Sequence, residues 1–197
     1  MPENHENLIP KDGEVYLYNS FFNAEESSYF MNKLLEEIEW KQEPIRIMGK
    51  EIMQPRLTAW YGDPNKPYSY SGIKMLAHPW TDPLEQIKKR IEFKFGLEFS
   101  SVLLNLYRNE RDGMGWHRDN EKELGPDPTI ISLSFGQSRV FQLRRYKEKS
   151  KPILLELHTG SLLIMKGATN HYWEHRIPKT SQHLQPRINL TFRNIIL

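Results

Sequence analysis

The chain has 197 residues, 27 Lys+Arg against 25 Asp+Glu for a net charge of +2, and no cysteine. That length suits one domain with a substantial core, since folding at this size buries roughly 70% of the unfolded surface. Near-neutral charge excludes a uniformly basic coat, so an anionic partner must be met by a local patch. Without cysteine there is no disulfide, thiolate nucleophile, thiolate-held zinc or iron–sulfur cluster, and any metal must rest on histidine and carboxylate. The N-terminal Met1-Pro2-Glu3-Asn4-His5-Glu6-Asn7 is polar, and no run approaches the roughly 18 apolar residues of a membrane span. These features predict a monomeric protein with no membrane association, cytoplasmic, or nuclear in a eukaryotic cell.

In chain order, residues 1–12 read as a flexible start and 13–197 as a single domain, with helices and a recognition hairpin over 13–98 and a strand-rich core over 99–197. Asn23 can cap a helix running to about Trp40, in which Phe30, Leu34 and Ile38 recur every four residues and Met31 and Leu35 widen the apolar stripe. Arg46-Ile47-Met48-Gly49-Lys50 reads as a hairpin tip. Asp82-Pro83 signals a second helix, capped by Asp82, with Leu84, Ile87, Ile91 and Phe95 inward and Gly96 as its stop. From there the pattern becomes short strands: 102–107, 129–135, 140–144, 153–157, 161–165 and 187–195, separated by turns such as Phe135-Gly136-Gln137 and His158-Thr159-Gly160. Helices first and strands afterwards predict an α+β protein, its strands rolled into a sandwich buttressed by two N-terminal helices.

The chemistry concentrates late in the chain. His117 and Asp119 are two residues apart, and an extended segment projects both side chains to the same face. A third ligand can come from Asn170-His171-Tyr172-Trp173-Glu174-His175-Arg176, where spacing alone does not choose between His171 and His175. Of the other histidines, His5 and His183 sit in polar surface segments, His78 before a proline in a turn, and His158 before a Thr-Gly turn. Two imidazoles and one carboxylate on one side of an ion leave adjacent positions open, the arrangement of non-haem iron(II) oxygenases, with zinc hydrolysis as the competing chemistry. The last strand separates the two. Arg187, Asn189, Thr191 and Arg193 alternate with Ile188, Leu190 and Phe192. By itself this also fits a half-exposed edge strand with a solvated polar face. If that face lines the pocket instead, a buried arginine requires an anion, which a dicarboxylate co-substrate provides and a hydrolytic zinc site does not.

Taken together, Asn105-x-Tyr107, His117-x-Asp119, His175 and Arg187-x-Asn189-x-Thr191-x-Arg193 resemble the AlkB-like iron(II)- and 2-oxoglutarate-dependent dioxygenases that remove alkyl lesions from nucleic acids. The resemblance covers about residues 45 to 195. Gln54-Pro55-Arg56, Tyr61-Gly62, Tyr68-Ser69-Tyr70-Ser71, Leu133-Ser134-Phe135-Gly136 and Trp173-Glu174-His175-Arg176-Ile177-Pro178-Lys179 are similar to the branch of two animal DNA-repair homologues. It implies a double-stranded β-helix (jelly-roll) core, Fe(II) held by His117, Asp119 and His175, and 2-oxoglutarate and O2 as co-substrates. The third histidine is taken as His175 because the family places it just before the Ile-Pro-Lys turn. Arg187, helped by the Tyr107 hydroxyl, would take the distal carboxylate of 2-oxoglutarate. Asn105 and Arg193 would address its metal-chelating end, and Asn189 would contact the co-substrate or support it from behind.

The same resemblance implies oxidative demethylation of 1-methyladenine- and 3-methylcytosine-type bases in DNA or RNA, with release of formaldehyde, succinate and CO2. A base must leave the stack to reach the metal. Tyr70 would stack on it opposite His117, Tyr68 would hydrogen-bond nearby, and Tyr61 would belong to the same aromatic wall. Glu121 would favour cationic methylated rings over neutral bases. Met48 would fill the gap left by the flipped base. Lys50, Arg56, Arg118, Arg144 and Arg145 are candidate phosphate contacts. The alternatives are an oxygenase of the same fold acting on a protein or small molecule, and a non-catalytic nucleic-acid reader.

Overall fold

The computed structural model describes residues 6–47, 50–64, 68–70, 73–75 and 77–196. The first strand, β1 (Glu14–Tyr18), leads into α1 (Ala24–Glu37), which starts where the sequence places it. Asn23 Oδ1 accepts from the Glu26 N–H and Glu26 Oε2 accepts from the Asn23 N–H, both at 2.9 Å, a reciprocal cap that satisfies two otherwise orphaned donors. The helix stops at Glu37, short of the expected Trp40, because Ile38 turns extended and the Trp40 indole swings back to donate to the Leu34 carbonyl. Phe30 and Leu34 are buried and Met31 packs beside them, while Leu35, about 100° further round the helix, is 40% exposed and does not widen the stripe.

The hairpin β2 (Pro44–Ile47) and β3 (Lys50–Met53) precedes β4 (Leu57–Gly62) and a second ribbon of β5 (Tyr68–Tyr70) with β6 (Ile73–Met75). Helix α2 (Asp82–Phe95) begins one residue earlier than the sequence suggests, with Thr81 as its cap residue and Pro83 in its first turn. It buries Leu84, Ile87 and Ile91, rests Phe95 on Tyr18 and Phe21, and ends on Gly96 at φ 65°, a left-handed backbone that glycine adopts without steric cost.

The remaining strands are β7 (Ser101–Tyr107), β8 (Met114–His117), β9 (Ile130–Gly136), β10 (Arg139–Arg145), β11 (Ile153–Leu157), β12 (Leu162–Lys166), β13 (Trp173–Ile177) and β14 (Arg187–Arg193), with a short helix α3 (Thr169–Tyr172) before β13. They form two antiparallel sheets, one in the order β1-β12-β9-β14-β7-β4 and one in the order β11-β10-β13-β8. Together these are the rolled, jelly-roll sandwich the sequence implies.

Strands β1, β4, β5, β6, β8 and β13 were not anticipated. Five of the six β4 residues are buried, so it lacks the alternation that betrays a strand, and β8 has only four residues. Strand β13 does alternate, with Trp173, His175 and Ile177 inward, but a histidine among charged residues does not register as an apolar position.

One side of the six-stranded sheet presents Val102, Leu104, Leu106, Ile131, Leu133, Phe135, Ile188, Leu190 and Phe192 to the helices. Each such side chain contributes about 1.5–3 kcal/mol through burial. Its other side faces the four-stranded sheet across Leu103, Tyr107, Phe141, Leu143, Met165 and Trp173. Strand β14 therefore lies between β9 and β7 with every residue buried, and is not a half-exposed edge. Its apolar face supports the helices and its polar face looks into the sandwich.

Candidate metal and co-substrate site

Strands β13 and β8 pair so that His175 stands opposite His117, and both imidazoles enter the space between the sheets with ring centroids 4.2 Å apart. Asp119 follows β8 by two residues. Its carboxylate oxygens lie 3.9 Å from His117 Nε2 and 3.8 Å from His175 Nε2. One ligating atom from each of the three falls within 4.8 Å of the others, which suits a single ion, and this is the one such group among the described residues. His171 is exposed on α3 and faces Asp127 at 3.2 Å, so geometry selects His175, the choice that spacing left open.

The ring nitrogens are prepared for ligation. His117 Nδ1 lies 2.9 Å from the Gly115 carbonyl, which can only accept, so Nδ1 carries the proton and Nε2 keeps its lone pair toward Asp119. Burial, the largest influence, pushes His175 down to about 3, so its imidazole is neutral near pH 7. Phe141 stacks on it at 5.1 Å and fixes the ring plane. Burial alone would raise the Asp119 carboxyl, but the Arg193 guanidinium overrides it and holds Asp119 below the usual carboxylate range. Arg193 Nη2 donates to Asp119 Oδ1 at 2.6 Å.

Register places Arg187 opposite Tyr107 and Asn189 opposite Asn105 on the neighbouring β7. These residues line one pocket together with the three metal-ligand candidates. Arg187 is 1% exposed, and burial pushes it down to about 10, so it remains cationic near pH 7. Its Nη2 donates to Ser134 Oγ at 2.9 Å, whereas Nε and Nη1 are buried with no hydrogen-bond partner. Unsatisfied donors on a buried cation are costly, and an anionic carboxylate reaching Nη1 or Nε supplies a missing acceptor together with the opposite charge. The donor set and these orphaned donors thus fit a divalent ion together with a small dicarboxylate.

Two neighbouring residues have their bonding already committed. Asn189 donates to Ser132 Oγ at 2.7 Å and to the Leu133 carbonyl at 3.1 Å, and its oxygen accepts from Thr191 Oγ1 at 3.1 Å. It braces the cavity wall and keeps no donor for a co-substrate. Asn105 Oδ1 accepts from Arg56 Nε at 2.6 Å, so only the amide donors of this cavity residue remain. Arg56, expected at a phosphate, is instead 4% exposed beneath the pocket. Nothing in a Pro-Arg dipeptide distinguishes a buried arginine from a solvated one; the signal lies in the partner, Asn105, 49 residues away.

Tyr61 is likewise not at the site. Strand β4 alternates so that Trp60 faces the sandwich interior and Tyr61 faces the helices, where its hydroxyl accepts from the Glu39 N–H at 3.1 Å. Tyr68 and Tyr70 fall on β5, but their side chains, like that of Lys50, lie outside what is described, and Met48 lies outside the described residues altogether. Glu121 follows the triad by two residues, and its Oε2 is buried with no hydrogen-bond partner. Arg118 caps the Tyr146 ring at 3.7 Å and Arg144 the Trp116 ring at 4.0 Å, leaving both on the outer side of the smaller sheet, while Arg145 is tied to Asp12 and Glu148. Sequence reasoning missed Arg139, which lies 5.5 Å from the Tyr107 ring.

Among the described residues, no helix is long and apolar enough to cross a membrane. Comparison with known proteins matches residues 14–193 to the 2OG-Fe(II) oxygenase superfamily model. The chain is 42% identical over 193 residues to the alpha-ketoglutarate-dependent dioxygenase alkB homolog 3 of Homo sapiens, covering 92% of this chain and 66% of that protein. It is 36% identical over 199 residues to the DNA oxidative demethylase ALKBH2 of Homo sapiens, covering 96% of this chain and 76% of that protein. The chain spans just under two thirds of the length of its alkB homolog 3 relatives. The solved structure of OsALKBH1 shares the fold, with a TM-score of 0.67 at 17% identity over 94% of this chain and 100% of that one. With the His117, Asp119 and His175 cluster and the buried Arg187 in place, these matches assign Fe(II), 2-oxoglutarate and O2 as its cofactor and co-substrates, and the chain belongs to the AlkB-like members of the 2OG-Fe(II) oxygenase superfamily.

Proposed function

We propose that the protein oxidatively demethylates alkylated bases of the 1-methyladenine and 3-methylcytosine type in DNA or RNA. The observation that carries the reading is a His117, Asp119 and His175 cluster that could hold an ion, beside a buried Arg187, in a chain 36% identical to a protein named as a DNA oxidative demethylase. Residues 13–197 act as one catalytic domain, monomeric, in the cytoplasm or nucleus.

His117, Asp119 and His175 would hold the ion, and Arg187 with Tyr107 would take the distal carboxylate of 2-oxoglutarate. Asn105 would donate to its 2-oxo acid end. Arg193 stays on Asp119 and keeps it ionised in a site almost closed to water. Fe(II) held there would supply, with O2 and 2-oxoglutarate, a two-electron oxidation of the N-methyl carbon to its hydroxymethyl form, balanced by conversion of the co-substrate to succinate and CO2. The hemiaminal then loses formaldehyde, and the ring nitrogen keeps the electron pair of the broken C–N bond. Glu121, half-buried two residues after the ligand Asp119, offers a carboxylate whose Oε2 has no hydrogen-bond partner, which attracts a methylated ring bearing positive charge and gives a neutral base no such advantage. Tyr70 stacks on the flipped base, Tyr68 hydrogen-bonds beside it, and Met48 replaces it in the stack. Arg118 and Arg144 are the candidate phosphate contacts of this reading, Arg144 by exchanging its ion pair with Glu174.

The test incubates the protein in air with Fe(II), ascorbate, 2-oxoglutarate and matched single- and double-stranded oligonucleotides carrying either lesion, read by mass spectrometry. Loss of the methyl mass only with 2-oxoglutarate is the expected result. Succinate without demethylation would move the substrate to a protein or small molecule, and the absence of both would overturn the catalytic reading.

A further inference from the structure

A second buried guanidinium lies near Tyr107, one of the residues that line the pocket. Arg139, the first residue of β10, is 4% exposed and faces away from solvent. Its fork is spent on backbone carbonyls: Nη2 donates to Asp112 at 2.9 Å and Pro178 at 2.8 Å, and Nη1 to Asn109 at 3.4 Å. Those carbonyls belong to the turn between β7 and β8 and to the residue following β13, the roots of the strands that carry His117 and His175. Arg139 and Arg187 lie 5.5 and 5.3 Å from the centroid of the same ring, Tyr107. The Asp112 carboxylate, whose charge also reaches Arg139, is bonded to Arg108 through Nε at 2.8 Å and Nη2 at 3.0 Å. Two cations thus lie near one phenol, and neither forms an ion pair with a carboxylate among the described residues.

A structural arginine could serve the same loops from a more distant position, so its neighbours decide the reading. The Arg139 charge reaches Arg187: after burial, which dominates, it is among the influences that depress the Arg187 guanidinium. An anion bound at Arg187 relieves that repulsion and gains attraction from both cations. A ligand without a distal negative charge gains neither.

We propose that Arg139 is a positioning residue that seats the Tyr107 ring and adds a second positive charge behind Arg187, so that the pocket selects a 2-oxo diacid over a 2-oxo monoacid. This rests on the reading of Arg187 as the clamp for the distal carboxylate. Arg139 itself need not touch the co-substrate. Its action is read as a change in ligand choice, which a purely structural role would not move.

The experiment titrates Mn(II)-loaded protein with 2-oxoglutarate and, separately, with 2-oxobutyrate, which lacks the distal carboxylate, by calorimetry. Arg139→Gln should weaken 2-oxoglutarate by about tenfold, the lower end of what residues supporting a ligand contact contribute, and 2-oxobutyrate by less than about twofold. Arg139→Lys keeps the charge but loses the fork, so its diacid preference should fall by about threefold; this variant decides the matter if the glutamine form does not fold. An unchanged ratio of the two affinities in the Arg139 variants overturns the proposal. Arg187→Lys separates the two readings. If it alone lowers the ratio, the clamp stands and the Arg139 role is wrong; if it leaves the ratio unchanged, the clamp reading fails and takes the proposal with it.

Discussion

Replacing Arg193 by methionine removes the guanidinium from Asp119 while keeping much of its volume. In the metal-free protein the two charged groups meet at 2.6 Å with side chains 2% and 3% exposed, so neither is well solvated. Breaking a pair of this kind from one side costs about 3–5 kcal/mol, because the remaining charge stays buried without compensation. For a chain of this length each kcal/mol moves the melting temperature by about 2–4 °C, so the metal-free variant should melt about 6–20 °C lower than the parent. A divalent ion between His117, Asp119 and His175 supplies positive charge to the same carboxylate. Saturating Mn(II) should therefore raise the variant's melting temperature more than the parent's and narrow the gap. Differential scanning fluorimetry near pH 7.5, with and without Mn(II), measures all four values. A metal-free variant within about 2 °C of the parent, or a gap that widens with Mn(II), would refute the view that Arg193 and the ion share Asp119.

His117→Ala should abolish turnover and weaken Mn(II) binding by at least about tenfold while leaving the fold intact, because its side chain is partly exposed; calorimetric titration with Mn(II) checks it. Glu121→Gln should lower the preference for cationic 1-methyladenine over a neutral methylated base by about tenfold, read from competing lesions in one oligonucleotide pool, and an unchanged spectrum would remove Glu121 from substrate choice. The third concerns pH and lies away from the metal. Burial alone would raise the Asp112 carboxyl, but bonds from the Arg108 side chain and backbone override it and leave it below its ordinary value. A depressed carboxyl contributes stability above its unfolded value of about 3.9 and loses it as pH falls through the lower folded value. Asp112→Asn should therefore be less stable near pH 7 and converge on the parent below about pH 4; parallel melting curves across that interval would contradict the assignment.

Local signals were legible wherever a short stretch carries its own physical constraint. Asn23 with Glu26 marks a helix start because the cap closes within four residues, and Gly96 marks a helix end because only its backbone needs the left-handed region. The two-residue step from His117 to Asp119 and the alternation from Arg187 to Arg193 follow from strand geometry, which any extended chain obeys. What the sequence could not decide is which face of a strand meets which neighbour. Strand β14 reads equally well as an edge or a centre until β9 and β7 are seen on both sides, and only then do Arg187 and Arg193 become buried cations in need of anions. His175 outranks His171 because β13 pairs with β8, Tyr61 leaves the site because β4 turns it toward the helices, and Asn189 is spent on Ser132 of the neighbouring strand. Arg56 and Arg139 look like solvated charges in sequence and are buried in the fold. Their hydrogen-bond partners lie 27 to 49 residues away, and that separation is bridged by sheet pairing, a property of the whole chain rather than of any segment.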